Sequence, residues 1–161
     1  MFNRIAKKGE LTVNSSFRVI TIKGIPVEVN ISWLLVFFLF SLTLARVYFP
    51  TAVAGLTPSG YWAAGILTAL VFFISVLAHE LGHSLVAIKA GIPIKKITLF
   101  IFGGVAQMEA EPTNPSTELK ITAAGPLTSL AIALVLGFIY FYLLAPGFIL
   151  SEAVYFIAQL N

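Results

Sequence analysis

Three long runs of apolar residues dominate this chain and restrict the folds that are open to it. They cover residues 31–49, 61–90 and 118–145. About 20 apolar residues in a helix cross the ~30 Å hydrocarbon core of a bilayer, so each run is long enough for one transmembrane helix. Charged residues make up only 11% of the chain, against roughly 25% in soluble proteins. The sequence therefore predicts an integral, multi-pass membrane protein of the mainly α class.

A fourth apolar run, residues 148–160, follows a turn predicted at Pro146-Gly147. Its 13 residues would reach about 20 Å as a helix, which is short of the hydrocarbon core. We interpret it as a partial fourth transmembrane helix. We accordingly expect the chain to be a fragment, or a truncated paralogue, of a longer protein.

Two further segments have the composition of β-strands. Residues 17–29 are β-rich and interrupted by Gly24 and Pro26, which predicts a short hairpin inside an N-terminal segment, residues 1–30, that begins as a loose, basic terminus. Residues 94–108 contain an apolar stretch that is too short to span and is cut by Gly103-Gly104. We predict a re-entrant strand or hairpin there.

The placement of positive charge predicts the orientation in the membrane. Residues 1–30 hold five of the ten Lys and Arg residues, residues 89–120 hold four, and the loop of residues 46–60 holds only Arg46. By the positive-inside rule, the N-terminus and the 89–117 region lie in the cytoplasm. This placement explains the net charge of +3 without nucleic-acid binding, so we expect the lipid bilayer, and no nucleic acid, as a partner.

The second apolar run contains the only two histidines of the chain, in the sequence His79-Glu80-Leu81-Gly82-His83. On a helix, residues i and i+4 lie on one face, so both imidazoles can reach the same metal ion. Glu80 lies on the neighbouring flank, where its carboxylate can accept a proton from water. This spacing is typical of zinc peptidases. Buried, hydrogen-bonded core residues are the alternative interpretation, but ionisable residues inside a membrane are usually functional.

Any metal in this chain must be coordinated by nitrogen and oxygen atoms, because the chain has no cysteine. Zn²⁺ takes about four ligands and, in catalytic sites, leaves one position to water. Glu80 would then act as the general base of peptide hydrolysis without a covalent intermediate. No third protein ligand is evident. The chain has no aspartate, and we interpret the candidate glutamates as solvated or interfacial charges: Glu109, Glu111, Glu118 and Glu152.

Several motifs, in order along nearly the whole chain, resemble the site-2 protease family of intramembrane zinc metallopeptidases (peptidase family M50). They are Gly24-Ile25-Pro26-Val27 followed by Ser32-Trp33, Ser75-Val76-Leu77 before the two histidines, Phe102-Gly103-Gly104-Val105-Ala106, and Ala124-Gly125-Pro126-Leu127. The resemblance implies that His79 and His83 bind Zn²⁺ and that Glu80 is the catalytic base. It also implies a third ligand from an Asp-Gly motif in the fourth helix, beyond the last residue of this chain.

Two glycine motifs have structural as well as functional interpretations. The resemblance places Gly103-Gly104 beside the site in a membrane-embedded strand, whose edge could pair with an unwound substrate backbone. A tight turn in a re-entrant loop explains this pair equally well. For Gly125-Pro126 we expect a kink and close packing between helices.

The leading hypothesis is that residues 1–161 form a single membrane-embedded core of an intramembrane zinc metalloendopeptidase. Its substrates would be other membrane proteins, cut in or near their transmembrane segments. The alternative is a truncated, non-catalytic homologue that binds metal or transmembrane helices as a scaffold. Glu80 favours the enzyme, whereas the incomplete ligand set favours the scaffold.

Overall fold

The computed structural model describes residues 16–143 and 149–161, so the predicted loose terminus before residue 16 and the predicted turn at Pro146-Gly147 lie outside the described residues. In chain order the elements are β1 (Ser16–Ile22), β2 (Ile25–Asn30), α1 (Ile31–Thr43), a π-helical turn (Leu44–Tyr48), α2 (Phe49–Ala52), α3 (Pro58–Lys89), β3 (Ile94–Phe100), β4 (Gly103–Met108), α4 (Pro115–Leu143) and α5 (Ile149–Leu160). Among these, three helical stretches are long and apolar enough to cross a membrane: Ile31–Ala52, Pro58–Lys89 and Pro115–Phe141. The predicted mainly α membrane fold is confirmed.

The first membrane-spanning stretch is not one regular helix. Asn30 caps its start, because the Asn30 side chain accepts a hydrogen bond of 3.0 Å from the backbone N–H of Ser32. The π-helical turn of residues 44–48, which the sequence did not predict, follows directly on a close approach between α1 and α3. A Cβ on Gly65 of α3 would stand only 2.8 Å from the carbonyl oxygen of Ser41. The absence of a side chain at Gly65 therefore lets these two helices pack backbone to backbone.

The four strands form one sheet in the order β1-β2-β3-β4. β1 and β2 make the predicted antiparallel hairpin, and β3 and β4 make a second one. The sequence did not predict that the two hairpins join into one sheet. β2 pairs with β3 in parallel, with Val27 opposite Ile97, and both side chains are almost fully buried. Pairing lets the two hairpins share one apolar face, which neither could bury alone.

α3 is the centre of the helical layer and contacts α1, α4, α5 and the β3–β4 hairpin. α5 starts beside the far end of the first span, where the Glu152 carboxylate lies 3.5 Å from the Tyr48 hydroxyl. It ends with Leu160 and Asn161 on the wall of the cavity that also contains His79. Glu152 is therefore a neighbour of Tyr48 rather than simply a solvated charge, and it lies at the opposite end of α5 from the histidines.

Candidate metal centre

His79 and His83 point at each other across one turn of α3. Their Nε2 atoms are 3.1 Å apart. Two nitrogens bound to one tetrahedral Zn²⁺, each at 2.0–2.1 Å, stand about 3.3 Å apart, so the pair is spaced to chelate a single ion. The geometry agrees with the helical-face argument made from the i, i+4 spacing.

The other ring nitrogen of each histidine is held by α4. His83 Nδ1 donates to the carbonyl oxygen of Ile121 at 2.7 Å, since a carbonyl can only accept. This bond leaves the lone pair of His83 on Nε2, facing His79. His79 Nδ1 lies 3.0 Å from the Ser129 hydroxyl. Hydrogen bonds of this kind fix the tautomer and the ring orientation of metal-binding histidines.

Two glycines bring α3 and α4 close enough for these bonds. A Cβ on Gly125 of α4 would collide with Nε2 of His83 and would stand 2.6 Å from Nε2 of His79. A Cβ on Gly82 of α3 would stand 2.9 Å from the carbonyl oxygen of Ala124. Close helix packing was expected at Gly125-Pro126, but the sequence did not indicate that Gly125 packs against the two imidazole rings. Pro126 itself lies within the unbroken α4.

Glu80 lies on the side of α3 that faces the β3–β4 hairpin. A Cβ on Gly104 would stand 2.5 Å from Cγ of Glu80, so only a glycine lets β4 run this close to the carboxylate-bearing side chain. The neighbouring Gly103 has φ +124°, a conformation that other residues rarely adopt. His79, Glu80, Gly103 and Gly104 all line one cavity. The structure thus brings together the predicted metal ligands, the predicted base and the glycine pair predicted to bind substrate, with His83 one turn further along α3.

A third ligand is not evident from the grouping of acidic and histidine side chains among the described residues. Within residues 16–143 and 149–161, no group of three or more His, Cys, Asp and Glu side chains could hold a metal ion. Glu109, Glu111, Glu118 and Glu152 therefore do not complete the shell. The imidazole pair nevertheless fits a metal, because both Nε2 atoms converge on one point and Gly125 leaves the space beside them free of a side chain.

Three supports of this pair were not predicted from the sequence, namely Gly82, Ile121 and Ser129, and Gly125 was predicted only as a packing position. Ile121 acts through its backbone, so no side-chain pattern could have marked it. Gly82 and Gly125 carried a signal, since glycine inside an apolar helix commonly marks a close helix crossing.

Comparisons with known proteins identify the family of this chain. The profile of peptidase family M50 matches residues 67–159, more than half of the chain. A candidate zinc metalloprotease of Synechocystis sp. is 47% identical over 126 residues, which are 76% of this chain and 32% of the relative. Rip3, a candidate zinc metalloprotease of Mycobacterium tuberculosis, is 39% identical over 116 residues, which are 72% of this chain and 29% of Rip3.

The solved structure of the site-2 protease from Methanocaldococcus jannaschii has the same fold, with a TM-score of 0.62 and 34% identity over 91% of this chain and 63% of that one. This chain spans about a third of the length of the two curated relatives. The family profile, the relatives and the shared fold together show that the chain is a multi-pass membrane protein that belongs to peptidase family M50.

Proposed function

We propose that this chain is the metal-binding and catalytic section of an intramembrane zinc endopeptidase that cuts other membrane proteins in or near their transmembrane segments. The observation that carries the proposal is the convergence of the His79 and His83 Nε2 atoms, 3.1 Å apart, with Glu80 on the adjacent face. The names of the two relatives, both candidate zinc metalloproteases, support zinc as the metal. The third ligand would come from residues outside these 161.

In this proposal each residue has a separate task. His79 and His83 would hold Zn²⁺, which when bound polarises the substrate carbonyl and acidifies water. Ile121 and Ser129 keep the two rings turned toward the metal. Glu80 would accept the proton of the attacking water and return it to the departing amine. Water is the nucleophile in this proposal, so no acyl-enzyme would form.

Removal of the metal tests this proposal directly. In the protein as encoded, we expect 1,10-phenanthroline to reduce cleavage of single-span test helices to background and stoichiometric Zn²⁺ to restore it. The measurement is gel-based cleavage with zinc per chain determined by mass spectrometry. Cleavage that is insensitive to chelation would contradict a metallopeptidase. Binding of the helices with no cleavage, at full zinc loading, would instead favour the scaffold that the missing third ligand allows.

We also propose that the Gly103-Gly104 end of β4 holds the substrate. β4 is the last strand of the described sheet, and Gly104 lies against Glu80. A peptide that pairs with this edge would pass directly beside the carboxylate. A transmembrane helix must unwind before its carbonyls can be attacked, and an added strand would hold the unwound segment extended.

Gly104→Ala is therefore expected to lower kcat by about 10- to 100-fold, because the new methyl group displaces either Glu80 or the strand by a fraction of an ångström to an ångström. Zinc content should not change, since the three atoms nearest to the added methyl group all belong to Glu80 and none to a histidine. Val105→Ala, at the next position of β4, is the matched control, because Val105 is exposed. Parental kcat in Gly104→Ala would show that the strand does not position the reaction.

The cytoplasmic orientation of the N-terminus stays a proposal, supported by Lys89 at the end of α3 and Lys120 near the start of α4. Arg46 lies toward the opposite end of these helices, with its guanidinium 5.9 Å from the Trp62 ring centroid.

Single introduced cysteines test this orientation, because these 161 residues contain no cysteine of their own that could be labelled. We expect an impermeant maleimide to label Ser59→Cys on intact cells and Lys95→Cys only after lysis. The reverse pattern would invert the topology.

A further inference from the structure

A cavity of about 660 Å³ opens beside Glu80 and continues away from the sheet. Its size is within the usual range of ligand pockets, about 300–1,000 Å³. One end is the candidate site. Beyond that end, α1 and α3 line the cavity with apolar side chains only: Val36, Phe40, Phe72, Phe73 and Val76. Leu160 and Asn161, at the end of α5, also line it.

The cavity runs along one face of α3. Glu80, Val76 and Phe72 are spaced four residues apart, so they lie one above another on that face. Eight residues of helix separate Phe72 from Glu80, which corresponds to about 12 Å. Val36 and Phe40, also four apart, form the facing wall on α1. The depth is enough for the longest apolar side chains.

The far end of the cavity is built from packed aromatic rings. The Phe40 ring centroid lies 5.1 Å from that of Phe72 and 6.1 Å from that of Phe73. Phe73 is 6% exposed and packs edge-on against Trp33 at 5.0 Å. Rings held by this many contacts form a fixed floor rather than a collapsible one.

We propose that this cavity is the specificity pocket of the peptidase and receives a large apolar side chain from the substrate residue next to the bond that is cut. The inference rests on the proposed function, since it assigns the pocket to the same site. A substrate strand paired along β4 turns alternate side chains to opposite faces, so one of them enters the cavity as its backbone passes Glu80. A charged side chain would be excluded, because nothing on the aromatic walls could replace its water.

The test varies the substrate and the pocket together. Single-span peptides would carry Ala, Leu, Phe or Asp at each of the two positions that flank the cut. For the parental protein as encoded, we expect kcat/KM to rise from Ala to Leu to Phe at one of these positions, by about 10-fold or more overall, and to be lowest for Asp. A flat profile over Ala, Leu and Phe at both positions would overturn the pocket.

Val76→Phe fills the middle of the cavity from α3. We expect it to reduce kcat/KM for the Phe substrate by about 10- to 100-fold and for the Ala substrate by less than about threefold, which reverses the preference. Ile74→Phe is the matched control, with the same new side chain two residues away on the exposed face of α3, where Ile74 is 55% exposed. It should preserve the parental order.

Equal losses for the Ala and Phe substrates in Val76→Phe, or no loss for either, would overturn the assignment of this cavity. Failure of the proposed function has a different result. The parental protein would then cut none of the peptides, or would cut them equally well when Glu80 is replaced. Selective loss of large side chains can arise only if cleavage occurs and the pocket is the one that selects.

Discussion

Glu80→Gln is expected to reduce the rate of cleavage by about 10²- to 10⁴-fold. Zinc binding and stability should stay close to parental values. The amide keeps the size and hydrogen-bonding reach of the carboxylate but cannot take a proton from water, so only the acid–base contribution is lost. Zinc should remain because the proposed ligands are the imidazoles, whose ring orientations are held by Ile121 and Ser129 rather than by Glu80. Cleavage, zinc per chain and thermal unfolding should be measured on one preparation.

Glu118→Gln is the matched control, because Glu118 lies in the first turn of α4 and outside the cavity that contains Glu80. It makes the same chemical change and should cleave at the parental rate. Glu80→Gln protein that still cleaves at that rate would refute the general-base role. Loss of zinc in Glu80→Gln would instead make the carboxylate a ligand, and the missing third donor would then lie in the HExxH motif itself.

Local pattern was enough to predict the long helices and the convergence of the two histidines of α3. A span of apolar residues and an i, i+4 histidine pair are properties of one continuous segment, and the segment adopts a helix whatever surrounds it. The β-structure was predicted only in part. Each hairpin is local, but the parallel pairing of Val27 with Ile97 joins residues 70 positions apart. The pattern of apolar residues within each strand does not indicate which strand it pairs with.

The hydrogen bonds that hold the two histidines are also long-range and could not be predicted from local sequence. His83 is held by a backbone carbonyl 38 residues further along the chain, and His79 by a serine 50 residues further along. The sequence did give Gly125-Pro126 as a packing motif, because small residues let helices meet. That Gly125 packs against His79 and His83 became evident only from the relative position of α3 and α4. That placement makes α4, and not only the helix that carries the ligands, part of the candidate metal centre.

Gly125→Ala is therefore expected to lower zinc affinity by about 100-fold or more and to remove cleavage with it. The new methyl group would overlap Nε2 of His83 and press on Nε2 of His79. The rings cannot turn aside cheaply, since their Nδ1 atoms are bonded to Ile121 and Ser129 on the same helix that carries the methyl. If α4 moves away, those two bonds are lost, and loss of such supporting bonds typically costs 10- to 100-fold in metal affinity.

Gly137→Ala separates this effect from the general consequences of a methyl group in α4. Open space surrounds position 137, with nothing within 4 Å of the added carbon. Zinc affinity and cleavage should be parental there, and stability slightly higher, because Ala favours a helix over Gly by up to about 1 kcal/mol. Zinc titration with a competing chelator and circular dichroism in detergent measure both quantities. Gly125→Ala with parental affinity would mean that the two imidazoles hold the ion without help from α4.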